Sequence, residues 1–399
     1  CSLTSPERQF SSDPSGYAER IIAAANAIMP SLARGETVDA RALRLAMEAA
    51  FGGSDAEGAW AWRDAYEACE AAQVLFLRRF GPAMRRRTAP AAFGAMLARV
   101  VGLLPTQTRR SEESQALQQF STPLELAHVV AAAAGIRPGD LVLEPSAGTG
   151  LLAVMAELAG AATASRIAGG SVRFALNELA TGRADLLARL FPDAVVTRHD
   201  AAQIDDYLDG GVRPTVVVMN PPFSALASVD GPVRGAAHRH LASALARLAP
   251  GGRLVAITGT SLSPEHPAAR DGFVRLQETG RVVFTAAIAG RVFARPASPV
   301  ETRLTVIDRE PAADPCSFPA SAGIAESAAE LLALVDRRVP PRAAALPSPA
   351  GLSVASVGTS CAPRPLAIAS RQPARSLLGP SPGGVELAYE VLEAAAAAE

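Results

Sequence analysis

Asn220-Pro221-Pro222-Phe223 follows four apolar residues, Val216 to Met219, and its residue types suit one particular chemistry. The apolar run has the length and β-branched character of a buried strand. Two prolines then end it, because proline cannot donate to a sheet ladder. Asn220 offers a side-chain oxygen as acceptor, and the prolines present carbonyls with no competing N–H. An amino group with two hydrogens is the complementary ligand. If Asn220 Oδ1 and the Pro221 carbonyl each accept one hydrogen from the exocyclic amine of a base, its nitrogen is held in line with an electrophilic methyl group. That is catalysis by positioning. Phe223 adds a flat apolar face on which an extruded base can stack. A Pro-Pro turn that merely stops a strand accounts for neither the Asn nor the Phe.

A second cluster lies upstream. Glu144-Pro-Ser-Ala-Gly-Thr-Gly150 reads as a tight strand-to-helix turn in which Gly148 and Gly150 let the backbone approach a ligand. It is not a dinucleotide fingerprint, since the next glycine position holds Ala153, and it is not a P-loop, since the chain contains no lysine. Glu178, at the end of a following strand pattern, can accept both ribose hydroxyl hydrogens, and Asp200, one strand further, can accept from an adenine amine. Either acid alone reads equally well as a surface group at a strand end. Three such ends in order favour a nucleoside-bearing ligand.

Elements must exist to hold these groups. The strand patterns are LVLE (141–144), VRFALNE (172–178), VVTRHD (195–200), TVVVM (215–219) and RLVAITG (253–259), separated by amphipathic helical stretches. That alternation predicts βαβ units and a mostly parallel sheet, with ligands beyond the carboxyl ends of the strands. We read residues 1–110 as a helical N-terminal domain, 111–310 as the catalytic α/β domain and 311–399 as a Pro/Ala-rich linker with one or two short helices, one of them AESAAELLALVDRRV. Trp60, Trp62, Tyr66 and Phe76 recur at helical spacing and read as core packing rather than a base-stacking surface.

At 399 residues and 49% hydrophobic, the chain is long enough for more than one domain. It shows no apolar run of membrane-spanning length and no signal-peptide pattern, so the expected setting is soluble and cytoplasmic. Cys1, Cys69, Cys316 and Cys361 lack metal-ligand spacing, and no metal site is expected. The net charge of −1 excludes attraction to nucleic acid through uniform basicity. Local arginines remain: those at 85–87 and 109–110 read better as solvated helix ends, and those in His238-Arg239-His240 and in the loop 290–302 read at least as well as surface groups. No Met begins the sequence and LEAAAAAE ends it inside a helical pattern, so a longer natural protein is expected.

With these motifs placed, the region from Gln119 to Arg309 resembles the class I S-adenosylmethionine-dependent methyltransferases of the N6-adenine type, whose (D/N/S)PP(Y/F) motif matches Asn220, Pro221, Pro222 and Phe223. The resemblance implies a Rossmann-like fold with a seven-stranded, mostly parallel sheet whose last strand is reversed; VVFTAAI (282–288) and TRLTVIDR (302–309) fit as strands six and seven. It implies S-adenosyl-L-methionine as cofactor, with Glu144, Pro145, Ser146, Ala147, Gly148 and Gly150 in the cofactor loop, Glu178 on the ribose, Asp200 on the cofactor adenine, and Asn220 also close to the cofactor. QFSTPLELAHVV is similar to the segment preceding that loop in gamma-class DNA adenine methyltransferases, which adds Phe120, Thr122 and Pro123 at the methionine end. The order of regions resembles the amino-terminal part of bacterial and plasmid-borne methyltransferase–helicase fusions of the strawberry notch type. DNA is then the implied partner, with a helicase part downstream. RNA or protein amine methylation, or a cofactor-binding module without activity, are the alternatives. A gamma-class recognition region is absent after the seventh strand pattern, so sequence-specific recognition is not expected of this chain alone.

Overall fold

A computed structural model describes residues 14–106, 121–164, 170–222, 236–293 and 301–343. Described residues 14–106 contain four helices, α1 (Pro14–Ala33), α2 (Ala40–Phe51), α3 (Trp62–Arg87) and α4 (Pro90–Gly102), and α5 (Leu124–Ala134) precedes the sheet. Strands and helices then alternate through β1 (Leu141–Glu144), α6 (Leu151–Ala164), β2 (Arg173–Asn177), α7 (Thr181–Leu190), β3 (Val195–Thr197), α8 (Ile204–Tyr207), β4 (Val216–Met219), α9 (Ala236–Arg247), β5 (Arg253–Gly259), α10 (Pro267–Gln277) and β6 (Arg281–Ile288). Strands β7 (Thr302–Asp308) and β8 (Ile324–Ala325) and helix α11 (Ala328–Arg338) complete the described fold.

The sheet runs in the order β3-β2-β1-β4-β5-β7-β6-β8. Strands β1 to β5 pair in parallel, whereas β7 is antiparallel to both neighbours. This is the Rossmann-like, seven-stranded arrangement with a reversed last strand, and it carries one addition. β8 pairs in parallel with β6 and makes an eighth strand. After β3 the chain returns across the sheet to β4, so the switch point lies between β1 and β4, where crevices form in open α/β sheets.

Alternation along the strands divides the interior into two layers. Val142, Val216, Val218, Val255 and Val306 point into a core shared with α1 to α7 and α11. Leu143, Val217, Met219, Leu254 and Ile307 point into the opposite core, against α8, α9 and α10. The period of two in the pleat does this, since successive residues leave opposite faces. β4 is buried at all four positions, as a central parallel strand must be.

The first four helices belong to the first of these cores. Two glycines set their approach to the α/β part: a Cβ at Gly81 would lie 2.7 Å from Leu158 of α6, and one at Gly182 would lie 2.9 Å from the Tyr17 ring. Trp60, Tyr66 and Phe76 are buried. Arg86 and Arg87 are exposed in the last turn of α3, where cations complement the helix dipole.

Residues 311–343 differ from the expected linker. β8 joins the sheet edge, α11 buries Leu331, Leu332, Leu334 and Val335, and Arg342 is 5% exposed. Arg342 donates through NH2 to both oxygens of Asp140, at 2.9 and 2.6 Å, and through NH1 to the Thr215 carbonyl at 3.1 Å. Proline and alanine content masked a packed segment whose anchor is one arginine. Beside it, Arg253 grips Asp308 with Nε at 2.6 Å and NH2 at 3.0 Å. Both pairs lie at the amino edge of the parallel strands.

Candidate active site

The glycine turn begins at the end of β1. Asn177, the last residue of β2 and 1% exposed, ties three strand ends together. Its Nδ2 donates to the carbonyls of Pro145 and His199, each at 2.9 Å, and its Oδ1 accepts from Thr197 Oγ1 at 2.9 Å and His199 N at 2.8 Å. Its own carbonyl accepts from Ala147 N at 2.9 Å. With these hydrogen-bonding groups used, the loop position is defined to a single geometry.

The two glycines do different things. Gly148 (φ 54) and Gly150 (φ 88) both occupy the left-handed region. A Cβ on Gly148 would meet nothing within 4 Å, so this residue opens on free space. A Cβ on Gly150 would collide with the Phe191 ring, so that glycine is required for α7 to close on the turn. Glu178 follows Asn177 and reaches back: its Oε2 accepts from Gly148 N and its Oε1 from Ala180 N, both at 2.9 Å. Two bonds use half of a carboxylate's four acceptor sites and leave one site per oxygen. Asp200 is exposed, its Oδ1 capping the following turn at Ala202 N, 2.9 Å away. Leu179, 59% exposed, adds an apolar surface beside Glu178.

Glu144 is 2% exposed, and its Oε2 makes no hydrogen bond among the described residues. Burial, reinforced by the Glu178 charge, pushes its carboxyl well above the usual range, against the opposing Ala153 N–H. Its surroundings favour the protonated form.

Across the switch point, β4 delivers Asn220. Its Nδ2 donates to Thr122 Oγ1 at 2.9 Å, which sets the amide plane and directs Oδ1 to the other side. Thr122 is 6% exposed and precedes Pro123, the N-cap of α5. The structure therefore brings Asn220 and Thr122, 98 residues apart, into contact. Pro221 is buried and Pro222 half-buried. Phe120 and Phe223 lie outside the described residues, as do Arg109, Arg110 and residues 294–300 of the loop 290–302.

The histidines flanking Arg239 belong to packing. His238 Nε2 hydrogen-bonds with the Ala269 carbonyl at 3.1 Å, its ring stands edge-on to Phe273, and a Cβ on Gly272 would lie 2.6 Å from it. His240 is 9% exposed. Arg239 is the exposed member of the three. Arg291 is bound to Glu326, by a 3.0 Å bond to its carbonyl and a 2.6 Å ion pair.

A second layer of polar residues stands behind the turn, and no motif in the sequence singles it out. Thr149 Oγ1 donates to Glu70 Oε2 at 2.6 Å, and Arg183 Nε to Glu67 Oε1 at 2.7 Å. Tyr17 Oη lies 2.9 Å from Asp64 Oδ1 and 2.8 Å from Glu67 Oε2. The i, i+3, i+6 spacing of Asp64, Glu67 and Glu70 was visible, and it marks one helix face; a helix reads the same whether such a face meets water or a buried arginine.

A cavity of about 640 Å³ lies between α3, α4, the start of α5 and α11, and its lining includes Tyr66, Gln73, Thr122, Leu126 and Leu332. It adjoins the site through Glu70, Thr122 and Leu151, while Gly148, Glu178, Asp200 and Asn220 lie outside it. No group of His, Cys, Asp or Glu among the described residues could hold a metal ion, and no described helix is long and apolar enough to cross a membrane.

No protein-family model matches the chain, and no curated protein matches it. Among solved structures, the M protein of the type I restriction enzyme EcoKI (EC 2.1.1.72) is 17% identical over 49% of this chain and 45% of its own, with TM-score 0.41. A modification subunit of a putative type I restriction enzyme from Vibrio vulnificus is 18% identical, covering 48% of this chain and 45% of its own at TM-score 0.40. A putative class I S-adenosylmethionine-dependent methyltransferase from Listeria monocytogenes is 11% identical, covering 82% and 99% at TM-score 0.43. The chain thus spans about half the length of the two restriction-type subunits. Such likeness concerns the fold, and the functional argument rests on the site.

Proposed function

We propose that this chain is a methyltransferase that acts on the N6 amine of adenine in DNA, with S-adenosylmethionine as methyl donor. The observation that carries the proposal is the seating of Asn220: it ends the strand at the switch point, and its bond to Thr122 orients the amide with the acceptor oxygen turned away from that partner. The residues present fit the cofactor. Gly148 faces open space, Glu178 keeps an acceptor site on each oxygen for the ribose hydroxyls, and Asp200 is exposed for an adenine amine. The loop from Glu144 to Gly148, with Thr122 and Pro123, would hold the methionine end. When bound, the cofactor supplies an electrophilic methyl group on sulfur.

The chain's contribution to the transfer is orientation. Asn220 Oδ1 and the Pro221 carbonyl accept the two amine hydrogens and direct the nitrogen lone pair at the methyl carbon. Phe223 would stack on the extruded base. With net charge −1, delivery of DNA falls to a helicase-type neighbour in a longer protein, with residues 344–399 as the connection.

Methyl transfer from labelled cofactor to DNA, RNA and protein, assayed side by side, tests the proposal. Label in DNA adenine N6 is expected. Label confined to RNA or protein, or none on any substrate, overturns it. Asn220→Ala should lower turnover by at least about a hundredfold, while leaving cofactor affinity within about threefold. Glu178→Ala should weaken cofactor binding by about tenfold or more, as the loss of a charged hydrogen-bond partner does. Calorimetry on both variants separates the two roles, and equal loss of cofactor affinity in both would remove the distinction.

A further inference from the structure

We infer that the N-terminal helices form part of the cofactor cradle, with Glu67 and Glu70 of α3 and Arg183 of α7 acting as positioning residues that hold the glycine turn and the Glu178 carboxylate from behind. The inference rests on the functional reading above.

Asp64, Glu67 and Glu70 lie on one face of α3 and are 6%, 3% and 4% exposed. Carboxylates so deeply buried are costly unless each finds a partner. Asp64 is held at the start of α3, by Ala61 N at 2.7 Å and Arg63 at 3.6 Å, whereas Glu67 and Glu70 reach groups beyond the helix. Glu70 receives the hydroxyl of Thr149, which stands between Gly148 and Gly150 inside the turn. Glu67 receives Arg183, in the first turn of α7 and five residues beyond Glu178. The Arg183 side chain is 12% exposed, and the charges of Glu67, Glu70 and Glu178 together hold its guanidinium protonated against burial.

The Tyr17 hydroxyl completes the arrangement. Its one proton is shared between Asp64 Oδ1 and Glu67 Oε2, which ties α1 to the acidic face of α3. Glu67 and Glu70 of α3 thus reach one cation of α7 and one hydroxyl of the turn, and Tyr17 of α1 is bound to Glu67.

Adhesion between the two regions does not need these groups. The apolar core is continuous across the boundary, and Gly81 against Leu158 and Gly182 against Tyr17 already set the close contacts. Glu70 and Glu67 contact Thr149 and Arg183, the residues through which a displacement reaches the Gly148 N–H and the Glu178 carboxylate that it holds. Without Arg183, the negative charges of Glu67, Glu70 and Glu178 would face one another with no counter-charge, and Glu178 would leave its place beside Gly148.

The test is calorimetric titration of S-adenosylmethionine into the whole chain, alongside thermal unfolding. Thr149→Val keeps the shape and removes the hydroxyl; cofactor affinity should fall about fivefold to tenfold, with an unchanged fold, and Thr149→Ser should restore it. Arg183→Met should lose about tenfold to a hundredfold, with Arg183→Lys recovering part. In turnover assays the cofactor KM should rise while kcat stays within about twofold, the signature of lost binding rather than lost chemistry. If Arg183→Met fails to fold, the Thr149 pair decides. Wild-type protein that binds no S-adenosylmethionine overturns the functional reading and this inference with it. Wild-type binding with unchanged affinity in Thr149→Val and Arg183→Met overturns the inference alone.

Discussion

Asp140 and Glu144 stand four residues apart at opposite ends of β1, and their surroundings are opposite too. Asp140 accepts from Arg342 through both oxygens, from Arg137 N at 2.6 Å and from Thr215 Oγ1 at 2.7 Å. Glu144 is as deeply buried, yet its Oε2 has no hydrogen bond among the described residues and the charge that bears on it is another acid. The same contrast holds across the sheet, where Asp308 at the amino edge is gripped by Arg253 while Asp200 at the carboxyl edge is exposed. One edge satisfies its charges and supplies cohesion. The other leaves acceptor capacity unused, as a ligand site must.

The sharpest way to break this contrast is at its strong end. Asp140→Ala leaves Arg342 buried without its carboxylate and should destabilise the fold by about 3–5 kcal/mol, read from urea unfolding. Replacing the pair together, Asp140→Asn with Arg342→Met, should cost much less. A single variant as stable as wild type would show that the amino edge is not the anchor.

Gly150 tests the boundary between the two edges. Gly150→Ala drives a methyl group into the Phe191 ring at positive φ and should cost about 2–4 kcal/mol. Gly148→Ala faces open space and carries only the backbone strain, about 1 kcal/mol, yet its methyl group enters the space that the proposed cofactor would occupy. Cofactor affinity should therefore fall in Gly148→Ala out of proportion to its stability. Equal ratios in the two variants would show that the glycines share one role.

The smallest effect concerns Glu144 and needs its sign worked out. A carboxyl raised in the folded state is protonated there when the unfolded chain has already lost its proton. Its contribution is complete below the ordinary glutamate range, about 4.3, and is lost as pH rises through the folded-state value. Glu144→Gln mimics the neutral acid at every pH. It should match wild type near pH 4 and exceed it by about 1–2 kcal/mol at pH 8 to 9, in denaturant titrations at both values. Parallel stability curves would show that Glu144 ionises freely in the fold.

Much of the α/β part was legible because the chain announces it locally. The runs at 141–144 and 253–259 became β1 and β5 at the same bounds, and the reversed strand at 302–309 lost only Arg309. The place of Asn220 directly after β4 was legible from the prolines that stop the strand, while its contact with Thr122 was not. The second layer was not, because Tyr17, Glu67, Thr149 and Arg183 are far apart in the chain and meet only through tertiary packing. Asn177 escaped notice because adjacent Glu178 offered the more reactive group. β8 and Arg342 escaped because a strand of two residues has no periodicity, and no sequence pattern says that an arginine among prolines will be buried.

The clamp at Arg342 has a mechanical consequence. Arg137 also holds this stretch, donating to the carbonyls of Arg342 and Ala343, so the last described residues are fastened at the amino edge of the sheet. Tension on the chain beyond Ala343 is therefore received by Asp140 and Arg137, the whole length of β1 away from Glu144. A load applied past this clamp would fall on it before it disturbed the turn at Glu144, so under the proposed function the alignment of methyl donor and base would be shielded from forces that a tail leaving from the carboxyl edge would transmit directly.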